Sequence, residues 1–240
     1  MNMSLTEIWV YLAEQPLLWL ALTVGIYWLA QQLYRACRRF PLLNPVLIAV
    51  TAIVLLLTAT GTPYHEYFDG AQFISFLLGP ATVALAVPLA SQLDTLKRAW
   101  LPISVALAVG STVGILSTLA IGWSLGLDSQ MLLSLLPRSV TTPIAMGVSD
   151  QIGGSPSLTA VFVILTGILG AAFGLPLLAA IGLRDTVASG FALGVSSHGI
   201  GTARAFEYDQ RAGAFSGLAM GLNGTLTAIL VPVIVWLFGL

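Results

Sequence analysis

The chain has 240 residues, of which 57% are hydrophobic and 8% are charged, and its formal net charge is −1. A soluble domain carries about 25% charged residues, so this chain lacks the polar surface that water requires. The composition therefore predicts an integral membrane protein and argues against a nucleic-acid-binding protein. The single cysteine, Cys37, excludes an intramolecular disulfide and a cysteine-based metal cluster.

The first half of the chain, residues 17–121, predicts four membrane spans. Before it, residues 1–16 predict a short interfacial helix, because Trp9 and Tyr11 favour the headgroup level of a bilayer. Each span is about 20 residues long, roughly the length that crosses the hydrocarbon core as a helix. Gly79 and Pro80 interrupt the third span near its middle. The four spans cover about residues 17–36, 45–60, 71–93 and 100–121.

The second half, residues 130–240, predicts four more spans, two of them broken. Prolines and glycines interrupt the fifth span at residues 138–143 and the seventh at 194–201. The spans cover about residues 130–150, 157–181, 185–206 and 212–239. We therefore expect an all-α fold, a polytopic transmembrane bundle of about eight spans that forms a single integral membrane domain over residues 1–240.

Glycine spacing suggests an internal repeat. Gly110, Gly114 and Gly122 match three later glycines at a constant offset of 60 residues: Gly170, Gly174 and Gly182. Repeats with interrupted helices in corresponding places are typical of secondary transporters, where the interruptions mark the binding site. The pattern favours an internal repeat of the inverted type.

Basic residues predict the orientation, because Lys and Arg concentrate on the cytoplasmic side of membrane proteins. Alternating the eight spans leaves Arg184 on the opposite side and Arg138 within the membrane. Both termini are then expected outside the cytoplasm. The residues placed together on the cytoplasmic side are Arg35, Arg38, Arg39, Lys97, Arg98, Arg204 and Arg211.

The interruptions are the candidate binding site. Three of them, including Gly79-Pro80, fall near the centre of a span, and each exposes the N-terminus of a half-helix, which attracts anions. Arg138 adds a positive charge, so the pocket suits a small carboxylate. The candidate residues are Arg138, Ser139, Thr141, Thr142, Pro143, Ser196, Ser197, His198, Gly199, Thr202 and Asn223. Two alternatives stay open: the hydroxyls satisfy their own broken backbone, or Arg138 reaches to an interface.

His198 has three interpretations: a proton-coupling group, a hydrogen-bond donor to substrate, or a structural histidine bonded to a carbonyl. A serine hydrolase is not expected, although Ser196 and Ser197 adjoin His198, because the nearest carboxylates in sequence are Asp185 and Glu207. With two histidines in the chain, no metal site is expected. The sequence predicts no enzyme and no cofactor.

Three motifs resemble the LrgB family, also called CidB/LrgB, of bacterial inner-membrane proteins: Leu136-Pro-Arg-Ser-Val-Thr-Thr-Pro-Ile-Ala145, Gly153-Gly-Ser-Pro-Ser-Leu158 and His198-Gly-Ile-Gly-Thr-Ala203. One departure is Arg138, where lysine is common in that family. The resemblance implies an elevator or rocking transporter with broken helices. It also implies two different functions: holin- or antiholin-like control of murein hydrolase export and cell lysis with a small LrgA-type partner, and, from a plastid relative, glycolate/glycerate transport.

The residues favour transport, because a lesion-forming holin does not need a cluster of arginine and hydroxyl groups at mid-membrane. We therefore expect a secondary transporter of small monocarboxylates such as glycolate, glycerate, lactate or pyruvate in the bacterial inner membrane. The alternative is the holin/antiholin-like regulator. The expected partners are the carboxylate substrate, the lipid bilayer, an LrgA-type membrane protein and a second copy of the chain, without nucleic acid.

Overall fold

The structure is a computed structural model that describes residues 16–37, 40, 43–84, 87 and 90–240. The described residues form ten α-helices and no strand, as expected of an all-α protein. The predicted interfacial helix over the first 15 residues lies outside the described residues, as do Arg38 and Arg39. The helices are α1 (Pro16–Ala36), α2 (Pro45–Thr60), α3 (Tyr64–Ala84), α4 (Leu93–Arg98), α5 (Trp100–Ser124), α6 (Ser129–Leu135), α7 (Thr142–Gln151), α8 (Pro156–Ala180), α9 (Thr186–Tyr208) and α10 (Gln210–Phe238).

Four helices of the described chain are long and apolar enough to cross a membrane: α1, α5, α8 and α10. A fifth apolar helix, α2, is shorter, with 16 residues. These lengths and compositions support a multi-pass membrane protein. The predicted total of eight crossing helices is not reached, because α6, α7 and α9 do not qualify by this measure.

The chain divides into two compact units, the first ending at Ala84. In the first unit α1 packs against α2 and α3, where the Trp19 and Tyr67 rings meet edge to face at 5.8 Å. Asn44 caps α2 by accepting a hydrogen bond from the Val46 N–H at 2.9 Å. The predicted break at Gly79-Pro80 is corrected, because α3 continues through Pro80 to Ala84.

In the second unit, α6 and α7 form a helical hairpin, called hairpin 1 here. Leaving α6, the chain runs parallel to α8: the Ser134 carbonyl accepts a hydrogen bond from Thr159 Oγ1 at 3.0 Å, and Val140 packs near Val163. On its return in α7, Ala145 packs near the same Val163. Ser149 then meets Thr159, with 2.7 Å between the two hydroxyl oxygens. The two arms are therefore antiparallel, with the tip at residues 139–142.

Helix α9 is also a hairpin, called hairpin 2 here, because non-helical backbone at Ser197 and His198 divides it. Its first arm, residues 186–196, runs parallel to α10: Gly190 abuts Ala212, and Gly194 abuts Ser216. Its second arm, residues 199–208, runs antiparallel to the same stretch. Thr202 Oγ1 lies 2.9 Å from Ser216 Oγ, and Phe206 packs on Gly213. Both arms follow one segment of α10, so α9 folds back at its middle.

The two hairpins enter the unit from opposite ends. The base of hairpin 1 lies beside the start of α8 and, through a core that includes Leu132, Val148 and Val235, beside the end of α10. The base of hairpin 2 lies beside the end of α8, where Gly174 contacts Leu193, and beside the start of α10. Their tips therefore meet near the middle of α8 and α10.

This arrangement corrects the predicted topology of residues 130–150 and 185–206. Each segment enters and leaves at the same end of the unit instead of crossing it. Arg184 therefore joins the other basic residues at the end that holds the base of hairpin 2, where Arg211 Nη2 donates to Thr95 Oγ1 at 3.4 Å. Lys97, Arg98, Arg184, Arg204 and Arg211 all lie at this end. The opposite end carries Asp128 and Asp150 and no basic side chain of this unit.

Corresponding caps place the two hairpins in a register different from the predicted offset of 60. After α5 a glycine with φ of +69°, Gly126, ends the helix, and after α8 its equivalent is Gly182 with φ of +83°. The offset is 182 − 126 = 56 residues. Each hairpin then begins with an aspartate that caps its first arm, Asp128 accepting from the Met131 N–H and Asp185 from the Ala188 N–H.

Candidate functional site

The tip of hairpin 1 holds Arg138 on irregular backbone between α6 and α7. Pro137 lies in this break and is buried, while Arg138 and Ser139 are half-buried. Thr141 precedes α7, and its side chain makes no capping hydrogen bond to the helix. The first N–H groups of α7 therefore point toward the tip with no side-chain acceptor from Thr141, which favours an anion there.

The Arg138 guanidinium donates a hydrogen bond to Thr118 Oγ1 of α5. Thr118 Oγ1 donates in turn to the Gly114 carbonyl at 2.6 Å, so a neutral chain of hydrogen bonds orients the cation. Among the described residues the one ion pair joins Arg204 and Glu207, at 2.9 Å. No described carboxylate therefore balances the charge of Arg138, and a bound anion would do so.

The tip of hairpin 2 is held on α8 by His198. Its backbone has φ of 41°, a value that residues other than glycine rarely adopt. Its Nε2 lies 2.9 Å from the Val163 carbonyl; a carbonyl only accepts, so Nε2 carries the proton of this hydrogen bond. A side chain at Gly167 would overlap the imidazole ring, which explains the glycine there. This contact corresponds to the structural interpretation of His198.

Asn223 joins the two hairpin tips from the centre of α10. Its side chain is fully buried, and Nδ2 donates to the Val195 carbonyl of hairpin 2 at 2.8 Å and to Ser139 Oγ of hairpin 1 at 3.4 Å. Its Oδ1 accepts from Ser111 Oγ at 2.6 Å and from Thr227 Oγ1 at 3.3 Å. One amide therefore connects α5, α10 and both tips.

The other predicted residues divide between the tips and the packing behind them. Thr142 is half-buried and Pro143 exposed at the start of α7, and Ser196 and Gly199 are exposed at the tip of hairpin 2. Buried Ser197 packs into the space that Gly170 leaves open, and its hydroxyl lies 3.0 Å from that of Ser196. Buried Thr202 instead bonds the His198 carbonyl at 2.8 Å and Ser216, which supports the interpretation that this hydroxyl satisfies broken backbone.

Sequence reasoning missed two residues of this site, Thr118 and Ser111 on α5. Both are small hydroxyls on an otherwise apolar helix, and nothing in their spacing distinguishes them from the neighbouring Ser117. Only the contacts of Thr118 with Arg138 and of Ser111 with Asn223 reveal them.

Comparison with known proteins agrees with this arrangement of motifs. The LrgB-like family matches residues 23–237. The chain belongs to this family. It is 39% identical to YxaC of Bacillus subtilis over 90% of this chain and 94% of that protein, and 33% identical to the holin-like protein CidB of Staphylococcus epidermidis over 93% and 97%. It is 31% identical to the antiholin-like protein LrgB of Bacillus cereus over 90% and 94%. No solved structure matches the chain.

The proton-coupling role of His198 stays a prediction. If imidazole titration couples transport to protons, His198→Gln should remove the dependence of carboxylate uptake on an imposed pH gradient. The measurement is initial uptake into proteoliposomes with and without an inward proton gradient. An undiminished response to the gradient in His198→Gln would exclude this histidine as the coupling group and leave it as the contact to Val163.

Proposed function

We propose that the protein is a secondary transporter of small monocarboxylates, such as glycolate, glycerate, lactate or pyruvate. The observation that carries this proposal is Arg138, an unbalanced positive charge where two hairpin tips meet. A carboxylate could pair with the guanidinium, which favours bidentate contacts to two oxygens. The uncapped start of α7 and the tip hydroxyls Ser139, Thr142 and Ser196 supply further donors.

The architecture of the second unit supports a transport cycle. Two hairpins that approach one site from opposite ends provide two gates, each of which can open the site to one side. The corresponding caps at Gly126 and Gly182, and at Asp128 and Asp185, favour an internal inverted repeat. An elevator-like movement is the mechanism that we associate with this arrangement.

The distribution of charge supports an orientation in the bacterial inner membrane. Five basic residues at the end with the base of hairpin 2 place that end in the cytoplasm by the positive-inside rule. The end of α10 lies at the other end of the unit, so the C-terminus is periplasmic. We expect the N-terminus on the same side.

A second candidate function is holin- or antiholin-like regulation of murein hydrolase export and lysis. It is favoured by the names of the relatives, holin-like CidB and antiholin-like LrgB. In that case the protein would act with a small LrgA-type membrane partner. The two functions differ in a measurable way, because a carrier saturates and discriminates between solutes while a large pore does neither.

The test uses proteoliposomes that contain only this protein. We expect uptake of labelled pyruvate or glycolate to saturate and to be inhibited by unlabelled carboxylate, while a trapped fluorescent dye of several hundred daltons stays inside. Protein-free liposomes and liposomes with heat-denatured protein are the controls. Release of the dye, or uptake that rises linearly with concentration, would reject the carrier and favour the pore.

A further inference from the structure

We propose that Asn223 is a positioning residue that fixes the Ser139 hydroxyl as a hydrogen-bond donor to the 2-oxo or 2-hydroxy oxygen of the substrate. The inference rests on the proposed carboxylate transport and deepens it, because it assigns the recognition of the second functional group. Arg138 holds the carboxylate, and Ser139, the next residue, recognises the neighbouring oxygen. Asn223 itself makes no contact with the substrate.

The orientation of the Asn223 amide is determined by hairpin 2. Where α9 folds back, the Val195 carbonyl lies 2.8 Å from Asn223 Nδ2. A carbonyl oxygen accepts hydrogen bonds and cannot donate them, so the NH₂ group must face Val195 and the amide oxygen must face away. Ser111 Oγ, at 2.6 Å from Oδ1, donates to the amide oxygen and completes the assignment.

This orientation determines the polarity of the Ser139 hydroxyl. The second hydrogen of Nδ2 points to Ser139 Oγ, at 3.4 Å, so the serine oxygen accepts from the amide. A hydroxyl that accepts from a donor-only group keeps its own proton for another acceptor. No other hydrogen bond of Ser139 is found in the described part of the chain, and its side chain is half-buried beside Arg138. That proton is therefore available to a substrate oxygen.

Asn223 also cannot serve as a substrate ligand in this arrangement. Both hydrogens of Nδ2 go to Val195 and Ser139, both lone pairs of Oδ1 accept from Ser111 and Thr227, and the side chain is 0% exposed. A direct contact would require one of these four bonds to break. The influence of Asn223 on a substrate must therefore pass through Ser139.

The test compares two acids that differ at one position. Pyruvate carries a 2-oxo oxygen and propionate does not, so the ratio of their inhibition constants against labelled pyruvate uptake measures recognition of that oxygen. One neutral hydrogen bond corresponds to a factor of about 5 to 10 in affinity. We expect Ser139→Ala to reduce the preference for pyruvate by this factor. We expect Asn223→Asp to do the same, because an acceptor facing Ser139 draws away its proton.

The double variant distinguishes positioning from general damage. In the Ser139→Ala background, Asn223→Asp should cause no further loss of preference, although the added carboxyl group weakens both acids together. Thr225→Asp, an exposed substitution on the same helix, is the matched control and should leave the preference unchanged. Ser111→Ala, which removes one bond to Oδ1, gives a milder second variant if Asn223→Asp does not fold; it should lower the preference only when Ser139 is present.

Each outcome decides the inference. Equal loss of affinity for pyruvate and propionate in Asn223→Asp or Ser111→Ala, or effects that add to those of Ser139→Ala, would overturn the positioning role while saturable uptake still supported the carrier. Wild-type protein without saturable pyruvate uptake would overturn the proposed function and this inference with it.

Discussion

Arg138→Gln is expected to abolish saturable carboxylate uptake in proteoliposomes. Glutamine keeps hydrogen-bond donors but removes the charge, and no described carboxylate or cation near the tip of hairpin 1 can replace it. A charge-assisted bond at a partly buried site contributes about 3 kcal/mol, so the ratio of maximal rate to KM should fall at least about 100-fold. The measurement is initial uptake of labelled pyruvate over a range of concentrations.

Two matched variants make this result specific. Arg138→Lys keeps the charge without the planar fork, so we expect an intermediate loss of uptake. Arg204→Gln removes an exposed arginine that pairs with Glu207, and it should leave uptake within about twofold, because exposed ion pairs contribute little. Wild-type kinetics in Arg138→Gln would show that the carboxylate binds elsewhere.

Gly190→Ala is expected to destabilise the second unit more than any substitution in the binding site. A methyl group at Gly190 would overlap the backbone carbonyl of Ala212, and a helix backbone cannot move aside as a flexible side chain can. The first arm of hairpin 2 would have to separate from α10, at a cost of about 3 kcal/mol in the free energy of unfolding. Thermal unfolding in detergent should show a clearly lower midpoint.

Gly221→Ala is the matched control for this prediction. Gly221 lies in α10, and nothing lies within 4 Å of an added methyl group there. Alanine favours a helix over glycine by up to about 1 kcal/mol, so this variant should be as stable as the wild type or slightly more stable. An unchanged midpoint in Gly190→Ala would mean that hairpin 2 does not pack against α10 as closely as described.

The sequence by itself determined the membrane class, the family resemblance and two of the three breaks. Prolines beside Arg138 and the glycines around His198 disrupt any helix locally, so the effect is readable without the rest of the chain. The same rule failed at Gly79-Pro80, where α3 continues through Pro80. A proline is tolerated inside a helix when neighbouring groups satisfy the freed carbonyl, and that depends on the surroundings.

Only the tertiary structure decided the path of the chain after each break. A broken helix can continue across the membrane or fold back, and composition is the same in both cases. Hairpin 2 folds back because Gly190, Gly194 and Gly213 let both of its arms pack against one stretch of α10, a contact between distant residues. That fold moves Arg184 to the basic end. It also brings Val195 to Asn223 and Asn223 to Ser139, a meeting that local pattern cannot encode because the residues lie on separate elements.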